Sequence, residues 1–183
     1  TGVPFDATWS TGPYFGGETL STETTWLGDV YVTGDVTVAG GTKLNVSAGA
    51  NVLFACFDAN ENGVGDCGLA TSGGTISVAG TAGSPVLFTA YGTAKAPKAW
   101  STVRITGGNL DLRYATFEYA DDGLTIDSSS GVADHVTVRN NADDGLVVTS
   151  IPSNASLQFS NLLSERNGMD GISLMMSDAG QFD

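Results

Sequence analysis

Basic residues are scarce in this chain. Seven Lys plus Arg stand against 20 Asp plus Glu in 183 residues, for a net charge of −13. That balance argues against a nucleic-acid partner, because binding a phosphate backbone depends on cationic contacts. It suits a very soluble protein, or one that gathers divalent cations. No apolar run reaches the roughly 18 residues that cross a bilayer, so no membrane span is expected. Helix-period patterns are also nearly missing, and "NLLSERN" is too short to count. Neither an initiator Met nor a charged-then-apolar leader opens the chain, which therefore reads as processed or excised. The only histidine, His135 in "ADHVTV", sits beside an inward strand and reads as a turn or wall residue.

Glycine is abundant, with 25 residues, as are Thr, Ser, Ala and Val. Many Gly and β-branched residues with few helix formers argue for short strands joined by tight turns. The length suffices for one well-buried core. Just two cysteines are present, and both flank one polar loop, "CFDANENGVGDC". A Cys56–Cys67 disulfide and an oxidising compartment are the expectation, with two buried free thiols as the alternative.

Apolar pairs at i and i+2 recur along the chain: Val30/Val32, Val52/Phe54, Ile76/Val78, Val103/Ile105, Leu124/Ile126, Leu146/Val148 and Ile172/Leu174. Their first members are 22, 24, 27, 21, 22 and 26 residues apart. Further pairs lie between them, so each repeat reads as three short strands with one face inward, separated by corners such as "AGG" and "SAGA". Stacked repeats of this kind pair each strand in parallel with its equivalent one turn later. The expected fold is all-β, a right-handed parallel β-helix of about seven coils over residues 28–183; a β-sandwich is the alternative. Residues 1–27 do not follow the period and carry Trp9, Tyr14, Phe15 and Trp26. They read as an N-terminal cap or as an arm that pairs with a neighbouring subunit. At the other end "SLMMSDAGQFD" stops one strand into a coil, which favours self-association end to end or through the arm.

The segments "GDVYVTGDVTVAGGTKLNVSAGANVLFA" and "GSPVLFTAYG" and the repeated "DDGLTI", "DDGLVV" and "MDGISL" resemble secreted bacterial right-handed parallel β-helix proteins of the pectate-lyase-like superfamily. The resemblance implies the fold and an extracellular or cell-surface location. It does not imply one activity, since such folds host lyases, glycosidases, adhesins and purely structural proteins.

In the loop inserted at 56–67, Asp58, Asn60 and Asn62 alternate, Gly63 follows, and Asp66 comes three residues later. Alternate oxygen-bearing side chains in a tight turn can face one hard cation, with Gly63 allowing the bend and Val64 offering its carbonyl. The run is similar to the calcium loops of thrombospondin type 3 repeats and dockerins. It departs from the EF-hand at the twelfth position, Leu69, where a bidentate Glu is expected. The expectation is a structural Ca²⁺ site of modest affinity at Asp58, Asn60, Asn62, Val64 and Asp66; a metal-free polar turn is the alternative.

The second constellation is "ADDG" at 120–123 and 142–145 with "GMDG" at 168–171. Asp122, Asp144 and Asp170 should stack about 4.8 Å apart along the coils. Like charges at that spacing repel by roughly 1 kcal/mol in water, so such a ladder binds cations, turns to solvent or raises a pKa. One reading is a repeated Asp-Gly turn marked by Gly123, Gly145 and Gly171. The other is an acidic catalytic or calcium-binding groove in which Asp121, Asp122, Asp143 and Asp144 supply the paired carboxylates of an inverting glycosidase.

Against an enzyme, the Gly-His-Gly and Arg-x-Lys motifs that the resemblance implies for polygalacturonases do not appear. A lyase of this superfamily would need an Arg or Lys base, and only Arg139 and Arg166 lie near the Asp corner. The catalytic candidates would then be Asp122, Asp144 and Arg139, while pairing of the arginines with Asp or Glu is the plainer reading. An anionic polysaccharide would also meet a strongly negative surface. A glycan-binding module would show exposed aromatics, for which Tyr114, Phe117 and Tyr119 are the few candidates. Asn45-Val-Ser47 and Asn154-Ala-Ser156 fit the N-glycosylation pattern and matter only in a eukaryotic source.

Overall fold

A computed structural model describes residues 12–153 and 155–175. Trp9, Asn154 and the segment from Met176 onward lie outside them. The chain folds as an all-β parallel β-helix whose strands form a seven-stranded and an eleven-stranded sheet. The seven-stranded wall stacks Glu18–Leu20, Val36–Ala39, Leu69–Ser72, Val103–Thr106, Leu124–Asp127, Leu146–Thr149 and Ile172–Met175, one strand per coil. The larger sheet supplies the other two walls, because its two ten-residue strands turn a corner midway. In Asn109–Glu118 and Ser130–Arg139 the bend falls at Tyr114 and His135, with φ of 46° and 54°. Their first halves continue the wall of Lys43–Val46 and Thr75–Ala79, and their second halves abut Asn51–Phe54 and Val86–Ala90.

The inward alternation fills the tube with apolar side chains. Val36, Val38, Leu44, Val46, Val103, Ile105, Leu124, Ile126, Leu146 and Val148 are all buried. Aromatic rings stack along the axis: Phe54 on Trp100 at 3.9 Å between centroids, and Phe88 on Phe117 at 4.6 Å. The rings of both pairs are nearly parallel, at 4° and 15°, and burial of rings this size dominates such a core. Phe117 is therefore a core residue, not an exposed aromatic for glycan contact.

The register differs from the simple apolar period because the repeated pairs do not share one wall, and Val103 lies on the seven-stranded one. Val52 pairs with Phe88, while Ile76 belongs to a different wall between Leu44 and Leu110. Every wall carries the same i, i+2 pattern, so spacing alone does not say which wall a pair belongs to. Two coils are longer than the rest because residues 55–68 and 91–102 enlarge one corner. In the first coil that corner takes only residues 33–35. The disulfide loop thus enlarges a corner and displaces no strand: Leu69–Ser72 and Thr75–Ala79 follow it on the other two walls.

The ladder also starts ahead of residue 28. Tyr14–Phe15, Glu18–Leu20 and Thr24–Trp26 pair in parallel with Asp29–Val32, Val36–Ala39 and Lys43–Val46.

Candidate functional site

The disulfide loop and the Asp-Gly motifs fall at one corner of the helix, between the larger sheet and the seven-stranded wall. Successive coils supply it with residues 33–35, 55–68, 91–102, 119–123, 140–145 and 166–171. Nine of the chain's 20 acidic residues lie there (Asp35, Asp58, Glu61, Asp66, Asp121, Asp122, Asp143, Asp144 and Asp170), with only Lys95, Lys98 and Arg166 to balance them.

Cys56 and Cys67 form a disulfide with their Cα atoms 5.4 Å apart. Between them the Asp and Asn side chains cap the loop's own backbone. Asp58 Oδ1 and Asn60 Oδ1 both accept from the Asn62 N–H at 3.0 Å, and Asp58 Oδ2 accepts from the Gly63 N–H at 2.9 Å. Asn62 Oδ1 takes the Val64 N–H at 2.8 Å. Asp66 accepts the Ala59 and Asn60 N–H groups and the Asn60 side-chain amide. Short polar side chains satisfy backbone donors in this way wherever the chain turns without strand partners. Gly63, at φ 87°, occupies a backbone region that side-chain-bearing residues rarely adopt.

Apart from Asp66 Oδ2, which accepts twice, these oxygens keep a lone pair each, so two carboxylates, two amide oxygens and the Val64 carbonyl fit the donor chemistry of a hard cation. The set is lean, and among the described residues no three His, Cys, Asp or Glu side chains converge on one point.

The Asp-Gly corners stack as a ladder of caps. Asp122 Oδ1 accepts the Asp144 N–H at 3.2 Å, and Asp144 Oδ1 accepts the Asp170 N–H at 2.8 Å. Burial raises the Asp122 carboxyl above its ordinary value; the nearby Asp143, Asp121 and Asp144 charges add to this, and the Asp144 N–H opposes it. The glycines are needed for close stacking. A β-carbon on Gly145 would sit 2.6 Å from the Gly171 carbonyl oxygen, and one on Gly123 would sit 2.6 Å from the Gly145 oxygen.

Behind the aspartates runs an asparagine ladder that the sequence reading missed. Asn141 is buried; its oxygen accepts the Ala120 N–H, and its amide group donates to Asn167 Oδ1 and the Phe117 carbonyl. Asn167 in turn donates to the Val138 carbonyl and Ser164 Oγ. A readable signal existed, since both asparagines stand four residues ahead of a corner glycine, Gly145 and Gly171.

Arg139 is not part of the Asp corner. Its guanidinium donates to Glu118 Oε2 at 2.8 Å, in register one coil below. Glu118 faces outward yet is only 4% exposed, because Lys95 of the 91–102 excursion reaches back to it. Lys95 Nζ donates to Thr89 Oγ1, which donates to Glu118 Oε1, both at 2.9 Å. Of the catalytic candidates, the fold thus brings Asp122 and Asp144 together and commits Arg139 elsewhere.

The match to known families agrees with this geometry: residues 17–123 match the family described as a pectate-lyase-like β-helix domain. The chain belongs to that family. No curated protein and no solved structure matches it. Within this pectate-lyase-like β-helix, the matched stretch ends at Gly123, the first corner glycine, so the Asp144 and Asp170 caps lie beyond it. His135 stands at a different corner from the acidic one, stacked on Tyr114 at 4.2 Å between centroids and 3.0 Å from Asp134. Hydrogen bonds from Ser160, Asn161 and His135 hold the Asp134 carboxyl far below the usual range. This cluster ties adjacent coils together at a turn.

Proposed function

We propose that this β-helix is an extracellular structural or adhesive protein, stabilised by calcium, that self-associates as a subunit of a filament or surface layer. One observation carries the reading: the groups offered as catalytic are engaged in holding coils together. Asp122 and Asp144 cap the next coil's amides, and Arg139 is engaged by Glu118. Calcium would be held by Asp58, Asn60, Asn62, the Val64 carbonyl and Asp66, where a hard cation supplies an electrostatic cross-link between oxygens that otherwise repel. The disulfide supports an oxidising compartment.

Electron microscopy of purified protein with and without a chelator tests the proposal. Ordered polymers that loosen on chelation are expected, together with a melting temperature that falls when calcium is removed. Monomers that cleave acidic polysaccharides would sink it.

A carbohydrate-active β-helix, lyase or glycosidase, is the second reading. It is favoured by the raised Asp122 carboxyl beside Asp121, Asp143 and Asp144. Under it, Asp122→Ala with Asp144→Ala abolishes cleavage of a polysaccharide panel. Under the structural reading no cleavage is seen in either protein.

A further inference from the structure

The outward face of the seven-stranded wall carries a cleft of about 190 Å³. Its origin is a register effect. Thr37, Ala70 and Arg104 are neighbours across three adjacent strands, and the small Ala70 leaves a gap between the longer side chains. Asp35, Gly68, Ser101 and Thr102, at the ends of the enlarged corners, form its side. A water occupies about 30 Å³ of liquid, so the gap suits a ligand of roughly six heavy atoms.

The cleft is lined by one charge of each sign, Arg104 and Asp35. Lys95, Lys98, Arg113 and Arg139 each pair with a carboxylate. Arg104, exposed at the cleft, makes no ion pair or side-chain hydrogen bond among the described residues, and neither does the carboxylate of Asp35. The two line the same space without bridging each other. The Ser101 hydroxyl donates to the Cys67 carbonyl at 3.1 Å and keeps its lone pairs for a donor.

We propose that this cleft binds a compact zwitterion, with its anionic group on Arg104 and its ammonium group on Asp35. A simple anion would meet Asp35 and a net charge of −13. A simple cation would meet Arg104. A ligand that carries both charges, and no net charge, satisfies both walls and gains nothing from the overall field. Free α-amino acids are the smallest members of this class.

Titration of L-alanine, acetate and methylammonium at fixed ionic strength, followed by the amide chemical shifts of Gly68, Ala70, Ser101 and Thr102, tests the site. Saturable shifts with L-alanine are expected, and acetate and methylammonium should bind roughly tenfold or more weakly. Arg104→Gln and Asp35→Asn change exposed side chains, so the fold should persist while L-alanine binding weakens roughly tenfold in each. Three results overturn the proposal: no saturable shift with L-alanine, acetate or methylammonium binding as tightly, or either variant binding like the parent.

Discussion

The aspartate ladder makes a prediction whose sign is opposite to that of most buried-polar substitutions. Asp122→Asn keeps an oxygen to accept the Asp144 N–H, now 3.2 Å from Oδ1, and removes one negative charge from among Asp121, Asp143 and Asp144. Because burial and these neighbours raise the Asp122 carboxyl in the folded protein, its ionised form opposes folding at neutral pH. The linkage sign follows. A carboxyl raised in the native state binds its proton more readily there than in the unfolded chain, so stability rises as pH falls through the native value. One charge pair at about 5 Å is worth roughly 0.8 kcal/mol in water. Asp122 is partly buried and its three neighbours stand at unequal distances in screening salt, so together they amount to about 1 kcal/mol. For a chain of this size that corresponds to a rise in Tm of roughly 2–4 °C. The assay is a set of circular-dichroism melts at low salt. At pH 7 the variant should melt above the parent. The gap should close as pH approaches the ordinary carboxylate range, and it should shrink in high salt. Asp122→Ala, which leaves the Asp144 N–H without its acceptor, should lose most of the gain. An Asp122→Asn protein that melts below the parent at pH 7, or a gap that ignores pH and salt, refutes the reasoning.

Other perturbations should act in the more familiar direction. Replacing both Cys56 and Cys67 with Ser removes a cross-link spanning eleven positions and should cost roughly 3 kcal/mol, read from urea unfolding with and without reductant on the parent. Asn141→Ala strips a buried residue of its bonds to Ala120, Phe117 and Asn167, and a loss of about 2–3 kcal/mol is expected. Faster amide exchange at Ala120 would mark the same site. Glu118→Ala leaves Lys95 and Arg139 without their shared carboxylate, which should cost about 3 kcal/mol and raise proteolysis within residues 91–99. Unchanged stability in the Glu118 variant would mean that the excursion is held mainly by its backbone bonds, Lys98 to Ala120 and Ala99 to Tyr119.

How far the sequence revealed this molecule depends on which interactions repeat. The strands were legible because inward side chains alternate on every wall, and a solenoid repeats the alternation coil after coil. The wall assignment was not, since Val52 and Ile76 look alike in sequence although 55–68 pushes Ile76 onto another wall. The corner glycines and aspartates were visible as "DDG" and "MDG", and their stacking follows from the fold. Their engagement was not visible, because a carboxylate that accepts an N–H one coil later leaves no local mark. Asn141 and Asn167 could have been found by the same count, four residues before a glycine. Glu118 and Arg139, 21 residues apart, share a register that the coil length also contains. Lys95 had no such signal, for it sits on a single excursion that no other coil repeats. The Cys56–Cys67 loop shows the same division. Its alternating oxygens were legible, whereas their use as caps on Asn62, Gly63 and Val64 depends on how the chain turns. A cation there would have to share oxygens that the backbone already holds, so its affinity reports how much of the loop's order those caps supply alone. If chelation leaves the loop's amide exchange unchanged, the caps and the disulfide suffice to order it.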